Sequence, residues 1–323
     1  MNEVEVFLAY LRSAKGRSEL TVKEYYYDIR AFYRFLLTHK GLRTDEEDLD
    51  QYLDEITPEI LNGIFKKDIY QYISFLEFTL KNSNRTKSRK LSSLNSFFKY
   101  LKNVEELISE NPMENIDMPK IEKRMPTYLT MDESKKLLET ILTYKQSDYY
   151  KWRDYTIVTI FLNTGMRLSE LSAMNVDDLL ENNTVRVIGK GNKERTIYLN
   201  PSCIMALEIY LPYRKEFNPK DKALFFSMRK NRMNNRSIQH MIDKYIQLAG
   251  FDPKKYSTHK LRHTAATLMY KYGEGDLRAL QEILGHESVQ TTEIYTHVEN
   301  EELRDTTLAN PLSGIKPKIE DSE

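Results

Sequence analysis

The sequence predicts a mainly α protein of two domains. Helical periodicity fills residues 1 to about 110, prolines interrupt it between 111 and 126, and only one later stretch alternates like a β-hairpin. A chain of 323 residues is long enough to bury two cores. From Thr21, TVKEYYYDIRAFYRFLLTH sets Val22, Tyr25, Tyr26, Ile29, Phe32, Tyr33 and Leu36 at helical spacing, a stripe for burial. The acidic run RTDEEDLDQYLDE, residues 43 to 55, leads through a loop and a short helix into FKKDIYQYISFLEFTL, again apolar at threes and fours. In SRKLSSLNSFFKYL, Ser88 to Leu101, one face carries Leu91, Leu94, Phe97, Phe98 and Leu101, and another Arg89, Lys90 and Ser93.

Pro112, Pro119 and Pro126 then remove donors and disfavour helix before them, which marks a linker of limited flexibility. The expected organisation is an N-terminal helical domain at 1–111, a linker at 112–126, a second domain at 127–310 and a flexible tail at 311–323. Thr130 and Glu133 have capping-box spacing at the head of the next helix. Ile157, Val158, Ile160, Phe161 and Leu162 make a buried helix that Gly165 stops, so Arg167 and Glu170 fall near the start of another. VRVIGKGNKERTIYL reads as a hairpin, Val185 to Ile188 paired with Arg195 to Leu199. Ser257 and Thr258 begin a helix that ends before Gly273, Asp276 and Gly285 bracket a second, and Ser288 caps a short third carrying Tyr295.

Composition narrows the function. Cys203 is the only cysteine, which excludes internal disulfides and a cysteine-based zinc site. No apolar run is long enough to span a membrane, and MNEVEVFLAY is acidic where a secretory leader is basic, so cytoplasmic residence is expected. Basic and acidic residues balance at 48 each, but they are segregated. Lys81, Arg85, Lys87, Arg89 and Lys90 stand together without an acid, and Arg229, Lys230, Arg232 and Arg236 form a second basic stretch. Either is a solvated face or a contact surface for a polyanion.

Taken singly, the polar motifs are weak. Arg167 and Glu170 have the spacing of an ordinary helical ion pair. Lys190 and Lys193 flank a glycine turn that lacks P-loop order and has no helix after it. His259 and His263 stand at i and i+4, but Lys260 replaces the glutamate of a zinc HExxH motif, so no metal is expected. His263 is read as structural.

Taken in order, Arg167, Lys190, His259, Arg262, His286 and Tyr295 are another matter. Through TGMRLSEL, VRVIGKGNKER, HKLRHTAAT and LGHESVQTTEIYTHV the chain resembles the tyrosine recombinases of the lambda-integrase class, and among them the Xer-type chromosome-resolving recombinases. SRKLSSLNSFFKYL, the following NP and MPK extend the resemblance over nearly the whole chain. It implies a SAM-like, core-binding N-terminal domain and a catalytic domain that close on double-stranded DNA as a C-shaped clamp. It also implies attack by Tyr295 on a phosphodiester to give a 3′-phosphotyrosine, without ATP or another cofactor.

Physical chemistry suits each residue to its implied role. The transition state gathers negative charge on the phosphate oxygens, which the forks of Arg167 and Arg262 and a donor from His286 match. A phenol with a pKa near 10 lies about three units above neutrality, roughly 4 kcal/mol, and His259 is the candidate base that closes the gap. His259 and His286 are interchangeable in that role on sequence alone. Lys190 would return a proton to the leaving oxygen, and Glu170 would orient Arg167. The resemblance further implies a tetramer on two DNA sites, of one chain or with a paralogous recombinase, with the segment from Glu301 to Leu308 docked on a neighbour. Two other readings compete: a DNA-binding accessory protein without chemistry, and a type IB topoisomerase. A full set of reactive residue types opposes the first, and the Xer-like N-terminal half opposes the second.

Overall fold

The computed structural model describes residues 2–44, 48–121, 127–189, 194–217, 221–272 and 277–285. The chain divides into two compact units, Met1–Lys123 and Arg124–Glu323. The protein is mainly helical with one small antiparallel sheet, the fold class expected.

In the first unit, α1 (Asn2–Ser13), α2 (Glu19–His39), α3 (Pro58–Asn62), α4 (Lys66–Ser74) and α5 (Asn84–Asn103) surround an aromatic core. The stripe read from Thr21 onward is the core-facing side of α2: Ile29, Phe32, Tyr33 and Leu36 are fully buried, with Tyr25 and Tyr26 packed at its margin. The helix starts two residues earlier than the pattern, because the Ser18 hydroxyl accepts the Thr21 amide at 3.3 Å as an N-cap. Leu91, Leu94, Phe97, Phe98 and Leu101 of α5 meet that stripe. Between α2 and α3 the acidic segment forms a 3-10 turn, Leu49–Glu55, and α4 runs into a single π turn, Phe75–Thr79. α5 begins at Asn84, with Ser83 as its cap, and not at Ser88.

In the second unit, α6 (Met131–Thr143) opens with the expected box: Thr130 accepts the Glu133 amide at 3.2 Å and Glu133 accepts the Thr130 amide at 2.7 Å. α7 (Asp148–Thr164) is buried on all sides from Thr156 to Leu162 and accordingly central, packed by α6, by α9 (Pro201–Glu216) and by α11 (Thr258–Tyr272). Gly165 ends it in the left-handed conformation, φ +60°. α8 (Leu168–Ala173) follows at once. The hairpin is present as β2 (Thr184–Ile188) and β3 (Glu194–Tyr198), and a two-residue strand, β1 (Leu179–Leu180), pairs with β2 to give the order β1-β2-β3. α10 (Asn235–Leu248) and α12 (Leu277–Leu284) complete the unit. Among the described residues no helix is long and apolar enough to cross a membrane. The third short helix expected after Ser288, and the tail, lie outside the described residues.

Candidate active site

The site is built where three helix ends meet in the second unit. Arg167 is the N-cap residue of α8, and Glu170 in the first turn reaches back to accept its amide at 2.7 Å. The same carboxylate accepts Arg167 Nη1 at 3.0 Å. Glu170 is 3% exposed, so an unpaired charge there would be costly. Arg195 of β3 removes that cost by a two-bond fork, Nη1 to Oε1 at 2.7 Å and Nη2 to Oε2 at 2.9 Å. Burial alone would raise the Glu170 carboxyl; Arg195 and the Arg167 amide and guanidinium outweigh burial and hold it below its ordinary value.

The far end of α12 is tied to the same place. Arg262, on α11, donates Nη1 to the Gly165 carbonyl at 2.5 Å and Nη2 to the Leu284 carbonyl at 2.8 Å. Arg167 donates Nη2 to the Gly285 carbonyl at 2.7 Å. Those carbonyls close helices and have no partner within them, so cations complement both the hydrogen bonds and the dipoles. Gly165 also admits a close approach: a Cβ there would stand 2.8 Å from Leu284 Cδ2. Thus both guanidiniums hold the turn at 284–285, the residues directly before His286.

His259 is exposed in the first turn of α11, one turn from Arg262, and its ring meets His263 edge-on at 4.6 Å between centroids. Among the described residues no group of three His, Cys, Asp or Glu side chains is placed to hold a metal ion. Lys190, His286 and Tyr295 lie outside the described residues. Of the residues expected at the site, Arg167, Glu170 and Arg262 are tied to the α7–α8 and α12 ends, His259 lies one turn from Arg262, and Arg195 joins them without having been expected. A signal was available: in β3, Arg195 shares the face of Ile197, and a cation in phase with a strand's buried face needs a buried acid.

The basic residues sort less uniformly than their clustering suggested. Lys81, Arg85, Arg229, Lys230 and Arg236 are exposed. Arg89 and Lys90 both reach the fully buried Asp28, at 2.6 and 3.3 Å, and the Arg89 side chain stays 45% exposed. Lys87 is a correction. It is 4% exposed and bonds Glu77 at 2.6 Å, because α5 starts early and turns position 87 inward. Arg232 is another: its Nη1 caps α8 through the carbonyls of Ala173 at 2.8 Å and Met174 at 3.0 Å, and its Nη2 holds Asn175 at 2.6 Å. Lys87 serves packing, and the guanidinium of Arg232, one-third exposed, serves the end of α8. Cys203 is buried, which pushes its thiol up to about 12 and makes it a packing residue.

Comparison with known proteins gives the family. Residues 127–302 match the phage integrase family, and residues 4–61 match its N-terminal SAM-like domain. Tyrosine recombinase XerC of Caldanaerobacter subterraneus subsp. tengcongensis is 45% identical over 312 residues, covering 96% of this chain and 87% of that one. The XerH site-specific recombinase bound to a palindromic difH substrate, in a post-cleavage complex, superposes with a TM-score of 0.66 at 28% identity, covering 77% of this chain and 73% of that one. A lambda integrase dimer bound to a COC′ core site has the same fold, with a TM-score of 0.64 at 18% identity over 90% of this chain and 96% of that one. The chain belongs to the phage integrase family, and it is a Xer-like, tyrosine-type site-specific DNA recombinase.

Proposed function

We propose that Tyr295 is the nucleophile and that Arg167 and Arg262 clamp the phosphate it attacks. The observation that carries this reading is the convergence of both guanidiniums on the 284–285 turn, the chain that leads directly into His286 and, nine residues further, Tyr295. The phenol oxygen bonds phosphorus as the 5′-oxygen departs, leaving a 3′-phosphotyrosine. His259, exposed one turn from Arg262, takes the phenolic proton, and Lys190 returns one to the leaving oxygen. His286 donates to the non-bridging oxygens. A 5′-hydroxyl of the partner strand then reverses the attack, and because one phosphate ester replaces another, no ATP is consumed.

The DNA is gripped by Lys81, Arg85, Arg89, Lys90, Arg229, Lys230 and Arg236, mostly through phosphates, so affinity falls with salt. The residues from 1 to 111 bind DNA, and those from 127 to 310 carry the chemistry. The relative XerH is seen on a palindromic substrate, and a two-fold site calls for two identical protomers. By the same logic this chain pairs on its site, and two such pairs, of one chain or with a paralogue, exchange strands as a tetramer, with Glu301 to Leu308 docking on the neighbour. The proposed task is chromosome dimer resolution in the cytoplasm, close to the nucleoid; movement of a mobile element uses the same steps and differs in the site selected. Incubation with suicide DNA carrying the chain's own site tests the chemistry. Wild type should form a covalent adduct and Tyr295→Phe none; an adduct with Tyr295→Phe removes Tyr295 from the mechanism.

A further inference from the structure

Arg195 has no assigned part in the chemistry, yet it closes a ring of contacts around the clamp. It lies opposite Val187 in the β2–β3 register and on the face of Ile197, both nearly fully buried. From there its fork grips Glu170 at 2.7 and 2.9 Å, and Glu170 in turn holds the Arg167 amide and Nη1. On its other side the guanidinium lies against Gly285. A Cβ at Gly285 would stand 3.0 Å from Arg195 Cζ and 3.2 Å from its Nε and Nη1. The Gly285 carbonyl accepts Arg167 Nη2, so the ring runs from β3 through Glu170 and Arg167 to the turn and back to β3.

We propose that Arg195 is a positioning residue for strand cleavage: it sets Glu170, and through it Arg167, and it fixes the hairpin that leads to Lys190 against the turn that leads to His286. The inference rests on the recombinase chemistry proposed above. Arg195 acts through Glu170 and Gly285 and need not touch DNA. Its Nε is buried without a partner among the described residues, which is unfavourable. A lysine would supply the charge without that orphan N–H, so the feature the site uses is the planar two-bond fork.

The test is single-turnover adduct formation on saturating suicide DNA for wild type, Arg195→Lys, Glu170→Gln and the double variant, with DNA affinity and thermal midpoint measured alongside. Arg195→Lys should slow cleavage about 10- to 100-fold through misplacement of the clamp, with affinity changed less than about twofold. In the Glu170→Gln background the same substitution should add less than about threefold, since one linked unit is already broken. Cleavage by Arg195→Lys at the wild-type rate overturns the proposal, as do losses that multiply in full in the double variant or that follow affinity. Should Arg195→Lys lack a cooperative melt, Gly285→Ala presses on the guanidinium from the other face and decides by the same readouts: slowed cleavage at unchanged affinity supports the role, and a wild-type rate overturns it. A wild type that forms no adduct, or a Tyr295→Phe variant that does, overturns the underlying chemistry together with this role, whereas a cleaving wild type matched by Arg195→Lys overturns this role alone.

Discussion

Each unit of the molecule contains a buried carboxylate that gathers basic side chains, and the two do so in different ways. Glu170 is approached by a planar fork: Arg195 gives it both terminal nitrogens, and Arg167 adds a guanidinium nitrogen and a backbone amide. Asp28 takes single contacts, from Arg89 Nη1 at 2.6 Å, Lys90 Nζ at 3.3 Å and Ser93 Oγ at 2.8 Å. The fork fixes orientation as well as charge, which a transition state requires. Single contacts tether charge and leave it adjustable, which suffices for a phosphate backbone. Under the proposed function, the difference fits chemistry at the second unit's cluster and affinity at the first unit's.

The comparison breaks most visibly at Arg167. Arg167→Lys keeps the charge and loses the fork, and adduct formation at saturating DNA should fall roughly 100-fold or more, as for removal of a transition-state donor. Quench-gel kinetics read this directly. Glu170→Gln comes next. It leaves two guanidiniums around a neutral amide, and the calorimetric stability should drop by about 3 kcal/mol, the scale for removing one partner of a buried pair.

That difference should also depend on pH. The Glu170 carboxyl lies below its ordinary 4.5 in the folded protein, so its contribution is complete above that value and lost as pH falls through the depressed one. Urea midpoints of wild type and Glu170→Gln should therefore converge on acidification; a gap that stays constant to low pH contradicts the ion-pair account.

Gly165→Ala tests the close approach of α7 to α12 rather than any charge. With φ at +60° and the new Cβ 2.8 Å from Leu284 Cδ2, it should cost about 1–3 kcal/mol in thermal unfolding. The smallest effect belongs to the first unit. Arg89→Ala should weaken DNA binding only a few-fold and shallow the log K against log salt slope by about 0.9, one phosphate contact, with cleavage at saturation unchanged.

Periodicity and punctuation exposed much of this in the sequence. The α2 stripe, the Thr130–Glu133 box, the Gly165 stop and the hairpin all depend on neighbours in the chain, and all are found, the hairpin with its second strand at Glu194–Tyr198 rather than Arg195–Leu199. What escaped depends on distant residues. β1 is two residues long and has no pattern to carry, since β2 alone makes it a strand. Lys87 and Arg232 look like their basic neighbours until Glu77 and the end of α8 claim them. Within the site, the order of reactive residues was readable, but the Arg195 fork joins positions 25 residues apart across two elements, and alternation alone could only have hinted at it.

The most direct test sets the two clusters side by side: the single-turnover rate of adduct formation at saturating suicide DNA for Arg167→Lys and Arg89→Ala. The account predicts a fall of roughly 100-fold or more for the first and less than about twofold for the second. Equal losses, or a larger loss for Arg89→Ala, would contradict the division between geometry in one unit and charge in the other.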